Sequence, residues 1–384
     1  MALAVVLVRQ IYLDYNASTP IAPEVRDAML PYLSEGYGNP STTHWAGKPA
    51  RVAVDRAREQ VASLLGCLPE EIVFTSGGTE SNNHALKGTF YAHGGRGHII
   101  TTQVEHPAII EPCRFLERLG AEVTYLSVDS AGLVDPGDVR AAIRSDTILV
   151  SVMYANNEVG TIEPIEEIGA ICRERDVPLH TDAAQAIGKI PAKVDELGVN
   201  LLSVAGHKLY APKGVGALYI RKGTMIEPFM HGAGHEEGRR AGTENVLLDV
   251  GLGAACELAE DLSWTTDLER LRDRFWQGLQ ERFGDSVQLN GHPELRLPNT
   301  LSVAFVGHVG SDILATMPEV AASTGSACHS GEIKLSPVLK AMNVRPETGL
   351  GTIRFSLGRS TRWEDLEHVL GLLGNLLPQR RPRR

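Results

Sequence analysis

The sequence predicts an α/β protein: a large domain on a mostly parallel sheet, with a smaller α+β domain beside it. Three observations carry that expectation. Strand-like runs rich in Val, Ile and Leu alternate with helical patterns through the first two-thirds of the 384 residues. Those runs are short and nearly all apolar, as in strands covered on both faces. After about Gly251 the texture shifts to a charged helical stretch followed by isolated strands. A chain of this length has room for two domains. The expected division gives residues 21–260 to the large domain, and 1–20 with 261–384 to the small one.

In chain order, helical spacing of apolar residues predicts helices over 50–65, 107–119 and 165–175. Apolar, β-branched runs predict strands at 71–75, 98–101, 122–127, 147–153, 178–182, 201–205 and 217–220. In the second part, a helical stretch is expected at 252–283, strands at 300–306 and 351–356, and a last helix at 363–377. Ligands of such parallel sheets sit at the carboxyl ends of the strands. Residues just after strand ends are therefore the first place to look for chemistry.

Composition narrows the classes. Hydrophobic residues at 43% and charged residues at 22% exclude a disordered chain, a collagen and a coiled-coil rod. A net charge of −10 and only 5% aromatics give no footprint for direct nucleic-acid binding. The five cysteines are odd in number and form no CxxC pair, which argues against a disulfide framework or a structural zinc site. No metal is expected, and the expected compartment is a reducing cytoplasm. The apolar run at residues 1–8 is too short to span a bilayer and lacks the marks of a signal peptide. No membrane partner is expected. The tail Arg380-Arg381-Pro382-Arg383-Arg384 reads as a solvated end, with polyanion binding as the alternative.

Four features follow predicted strands. Ser76-Gly77-Gly78-Thr79 precedes a helix, where paired glycines and helix N–H groups suit a phosphate. It lacks the nucleotide P-loop spacing. Asp182, in His180-Thr181-Asp182-Ala183-Ala184-Gln185, offers a carboxylate to a cationic ring nitrogen, or else caps the next turn. Lys208, in Gly206-His207-Lys208, follows an apolar strand, and a desolvated lysine suits Schiff-base chemistry. His106, in Val104-Glu105-His106-Pro107, can stack on a flat ring or move protons. Together they match the needs of pyridoxal 5'-phosphate.

Two more residues stand out. Cys328 lies in the polar loop Ser326-Ala327-Cys328-His329-Ser330-Gly331, unlike the other four cysteines in helical or apolar stretches. A thiol there that reaches its thiolate form is a strong nucleophile. Arg354 lies within an apolar strand and needs an anionic partner, either a substrate carboxylate or an internal acid.

Ordered motifs from Ile11 to Leu372 resemble the cysteine desulfurases, in the class V aminotransferase group of pyridoxal-phosphate enzymes. They are Tyr12-Leu13-Asp14-Tyr15-Asn16-Ala17, Gly38-Asn39-Pro40-Ser41, Ser76 through Asn82, Asn156-Asn157-Glu158, His180 through Gln185, Gly206-His207-Lys208, Arg240 through Asn245, Ser326-Ala327-Cys328 and Arg354 through Arg359. The resemblance implies the type I fold of these enzymes, with a seven-stranded sheet. It implies that Lys208 bonds the cofactor, Asp182 meets the pyridinium nitrogen and His106 stacks on the ring. Gln185 and Asn157 reach the phenolic oxygen, and Gly78, Thr79 and His207 hold the phosphate. Thr243 serves the neighbouring subunit of a homodimer. Arg354 binds the carboxylate of L-cysteine, and Cys328 takes the sulfur as a persulfide for an acceptor protein, in iron–sulfur cluster assembly or another thiolation pathway. The chain departs from many members at Ala205, where a serine contacts the phosphate; either one phosphate hydrogen bond is missing or Ser203 reaches round to replace it. Ala327-Cys328-His329-Ser330 is also similar to selenocysteine lyases. That activity, an aminotransferase and a non-catalytic binding platform are the alternatives.

Overall fold

The computed structural model describes residues 9–324, 326–329 and 332–377. The apolar start at 1–8 and the Arg-rich tail lie outside the described residues. Fifteen strands are described. The central sheet has seven: β2 (Ile72–Thr75), β3 (His98–Thr102), β4 (Glu122–Leu126), β5 (Thr147–Ser151), β6 (Leu179–Asp182), β7 (Leu201–Ala205) and β8 (Gly216–Ile220). Their order is β2-β8-β7-β6-β5-β3-β4, and all run parallel except β8, which is antiparallel to both its neighbours. β2, β3, β5, β6, β7 and β8 are buried at every position, the mark of a sheet covered on both faces. One core fills the side facing helices Gly47–Leu65, Ile165–Glu174 and Val246–Ala259; another, around Phe90, Ile109 and Leu116, fills the opposite side.

A further core joins Ile11 and Leu13 to residues from Leu268 to Leu377. It packs helices Ser263–Phe283 and Trp363–Leu376 on a four-stranded sheet, β12-β15-β10-β9. These strands are β9 (Val287–Asn290), β10 (Thr300–Phe305), β12 (Ser323–Thr324) and β15 (Thr352–Ser356). The N-terminal strand β1 (Ile11–Tyr12) pairs in parallel with β11 (Val320–Ala321), which brings the start of the chain to its last third. A separate hairpin, β13 (Ser326–His329) with β14 (Glu332–Leu335), pairs with neither larger sheet.

The predicted helix over 252–283 is two helices, Val246–Ala259 and Ser263–Phe283. The break falls at residues 260–262, where Asp261 Oδ1 accepts from the N–H of Ser263, the first residue of the second helix, at 2.8 Å.

Candidate active site

A cavity of about 680 Å³ opens at the carboxyl ends of the parallel strands. It is lined by the loops after β2, β3, β5, β6 and β7, and by Asn16 to Ser18 and Arg354 from near the two ends of the described chain. The size suits a small-molecule site. Gly78, Thr79, His106, Asn157, Asp182, Gln185, His207, Lys208 and Arg354 all line it. Thr243 does not; it is exposed, on a loop tied to the Ser76 loop by the Arg240–Glu80 ion pair at 2.8 Å.

The floor is built from strand ends. Asp182, the last residue of β6, is buried, and its Oδ2 accepts from Asn82 Nδ2 at 2.7 Å. Its Oδ1 accepts from the Ala184 N–H at 3.0 Å, so the residue also caps its own turn. The carboxylate that caps this turn therefore also lines the cavity. Lys208 follows β7, and its Nζ donates to the carbonyls of Asn16 at 2.5 Å and Ala17 at 2.9 Å. Burial and then Arg354 pull its pKa down to about 8, while Asp182 and Asp14 oppose the shift. A free amine is thus accessible near neutral pH.

The phosphate-type cradle follows from backbone geometry. Gly77 has φ +144°, which L side chains rarely adopt, and the space where its Cβ would stand is open. A Cβ on Gly216 would lie 2.7 Å from the Gly77 Cα and 2.4 Å from the Val204 carbonyl oxygen, so only glycine lets β8 back the loop this closely. Gly78 and Thr79 open a helical segment, and their N–H groups have no intrahelical partner. Ala205 packs here: its methyl is 3.2 Å from where a Cβ of Gly78 would be. Ser203 does not replace the missing hydroxyl, because its Oγ is buried against His180 Nε2 at 3.0 Å.

His106 caps the helix Pro107–Glu117, its Nδ1 accepting from the Ala108 N–H at 3.1 Å. That bond leaves the ring proton on Nε2. Burial, with Lys208 assisting and Asp182 opposing, lowers its pKa. Burial and neighbouring lysines lower His207 to about 4, so it is a neutral imidazole at pH 7.

Arg354 has the internal acid as its partner. Its guanidinium donates to Asp14 Oδ1 and to the Asn157 carbonyl, each at 2.7 Å, and it still lines the cavity. Asp14 also accepts from Ser323 Oγ at 2.8 Å, in the strand that leads to the hairpin. The hairpin's other root is tied by Ser336 Oγ, which donates to Glu158 Oε2. Cys328 lies on β13 opposite Ile333; its side chain is outside the described residues. Burial pushes the thiols of Cys67, Cys113 and Cys172 up to about 12, which makes them inert at neutral pH.

Sequence reasoning gave no role to Asn16, Asn82 or Asp14, although all lie inside quoted motifs. It missed Lys189 entirely, whose one signal was its position four residues after Gln185.

A class-V aminotransferase family model matches residues 11–369. The chain belongs to that family. Its relatives fall in the cysteine desulfurase branch: the cysteine desulfurase IscS of Dictyoglomus turgidum is 51% identical, aligned over 97% of this chain and 96% of its own length. The IscS of Methanosarcina thermophila is 47% identical over 97% of this chain and 93% of its own. Among solved structures, a NifS-like protein matches with a TM-score of 0.90 and 38% identity, covering 96% of this chain and 99% of that one. SspA in complex with cysteine matches with a TM-score of 0.81 and 38% identity, covering 90% and 98%. Class-V aminotransferases of this branch generally use pyridoxal phosphate, and the chain has the type I α/β fold with the mostly parallel seven-stranded sheet expected of it. No helix among the described residues is long and apolar enough to cross a membrane.

Proposed function

We propose that the chain is a pyridoxal-phosphate-dependent cysteine desulfurase that removes sulfur from L-cysteine, releases L-alanine and leaves a persulfide on Cys328. The observation that carries this is Lys208: a desolvated amine at a strand end, paired with no carboxylate among the described residues, sharing one cavity with Asp182 and an open glycine cradle. These residues fit the cofactor. Lys208 would hold it covalently, Asp182 would meet its ring nitrogen and His106 its ring face. Gly78, Thr79 and His207 would hold the phosphate, and Gln185 and Asn157 the phenolic oxygen. Bound there, the cofactor supplies an electron sink for the substrate α-carbon.

The rest of the chemistry belongs to the chain. Arg354, oriented by Asp14, binds the substrate carboxylate as a fork. Lys208, once free of the cofactor, moves the α-proton. The Cys328 thiolate attacks the substrate sulfur: a sulfur–sulfur bond forms and the Cβ–S bond breaks. The bonding pair stays with Cβ, which takes up a proton to give alanine. No external oxidant is needed. The persulfide then passes to an acceptor protein, and Thr243 completes the phosphate site of a second copy in a homodimer. In this reading residues 21–260 form the cofactor lobe, and 1–20 with 261–384 the lobe that presents Cys328.

The test is a spectrum and an assay. Purified protein loaded with cofactor should absorb near roughly 420 nm and form alanine from cysteine. Cys328→Ser should keep the band and lose alanine formation. Undiminished turnover in that variant would remove Cys328 from the mechanism. A band without cysteine turnover in the wild type would refute the desulfurase reading.

A further inference from the structure

Lys189 is buried at 6% exposure, one side chain behind the cavity. Its Nζ donates to the Gln185 carbonyl at 2.9 Å and to Gln185 Oε1 at 3.0 Å. The charged groups that face it are cations, Lys208 and Arg354. With Lys208, Arg359, Tyr15 and Tyr210 it also walls a small cavity of about 10 Å³ behind the active site. A buried ammonium with only amide oxygens as partners is costly. Burial, Lys208 and Arg354 pull its pKa down to about 7.

The donor rules fix what this lysine does to its neighbour. In its charged form this lysine has three donors and no acceptor. The end of the Gln185 amide that faces it is therefore the oxygen. The nitrogen must face the other way, and Nε2 donates to the Asn16 carbonyl at 2.9 Å. The same carbonyl accepts from Lys208 Nζ. One chain of hydrogen bonds thus runs from Lys189 through Gln185 and Asn16 to Lys208. Gln185 lines the cavity, and its Nε2 has a second hydrogen to offer there.

We propose that Lys189 is a positioning residue of the cofactor site: it locks the Gln185 amide with its nitrogen toward the cavity, making Gln185 an obligatory donor to an oxyanion of the bound group, and it adds a positive charge behind that donor. The inference rests on the reading of Gln185 as the partner of the cofactor's phenolic oxygen.

The experiment is a pH titration of the visible band of the cofactor-loaded, full-length protein. Lys189→Met removes the charge and frees the amide to flip. Loss of a nearby cation makes protonation of the bound chromophore easier, so the midpoint should rise by about one pH unit, tenfold in proton affinity. Lys189→Arg should return it toward the wild-type value, which a purely space-filling role would not predict. Should Lys189→Met fail to fold, Lys189→Gln removes the charge while keeping a polar partner, and the same rise is expected. A folded, fully loaded Met or Gln variant with an unmoved midpoint would overturn the inference while leaving the cofactor reading intact. A wild-type protein with no titrating band would overturn both.

Discussion

The two halves of the proposed sulfur-transfer machinery are held in different ways. Asp182 and Lys208 stand at the ends of adjacent central strands, in a sheet buried on both faces, and each is pinned by named hydrogen bonds. Cys328 stands on a two-stranded hairpin that joins no larger sheet and is tied to the site at its two roots, through Ser323 and Ser336. Two strands alone have little independent stability. The difference matches the two tasks. Cofactor chemistry needs atoms held to fractions of an ångström. In the proposed mechanism Cys328 meets both a substrate and an acceptor protein, a task suited to an element outside the larger sheets.

Damage on the fixed side should be the most severe. Asp182→Asn keeps the shape and a bond to Asn82 but removes the charge for the ring nitrogen. We expect kcat for cysteine to fall by about 10²–10³-fold with cofactor still bound, read by steady-state alanine release. Activity within threefold of wild type would show that the floor charge is not needed.

The next effect is a pH dependence. An ordinary lysine keeps its proton until about pH 10.4, whereas burial brings Lys208 to about 8. The neutral amine is the nucleophile, so its fraction grows as pH rises through that value. The rate of pyridoxal phosphate incorporation into apoprotein should climb about tenfold between pH 7 and pH 9 and then level off. A rate still rising at pH 10 would mean that the pocket does not desolvate this lysine.

The smallest effect belongs to the hairpin root. Ser336 Oγ caps the helix Pro337–Ala341, accepting from the Val338 N–H at 3.1 Å, and also bonds Glu158. Ser336→Ala should cost about 1 kcal/mol of stability, measured by denaturant unfolding. It should leave the cofactor spectrum unchanged while slowing persulfide formation. A changed spectrum would show that the two halves are coupled more tightly than their bonding indicates.

The sheet was legible because its signals are local. The run 201–205 was predicted with the bounds it has, and the other central strands within two residues, since continuous Val, Ile and Leu runs need no distant information. The helix at Pro136–Ala142 escaped despite its Asp135 cap, because its single buried residue, Val139, leaves almost no apolar stripe. Within the site, residue types after strand ends were readable and their partners were not. Asp14 and Arg354 are 340 positions apart, and nothing in either neighbourhood names the other. Ser203 and Lys189 show the same limit, for both are decided by which side of a packed element they face.

Because Asn16 and Arg354 close the cavity from opposite ends of the chain, the ribosome makes its parts in an awkward order. The strand Ile11–Tyr12, which leads into Asn16, pairs with β11, which includes Val320, and Asp14 waits for β15. A nascent chain exposed as far as residue 300 holds every strand of the central sheet but not the arginine that would grip a cysteine. Domains fold as units during synthesis. The cradle and floor can therefore take shape before release, while competence toward substrate is withheld until the last strands emerge.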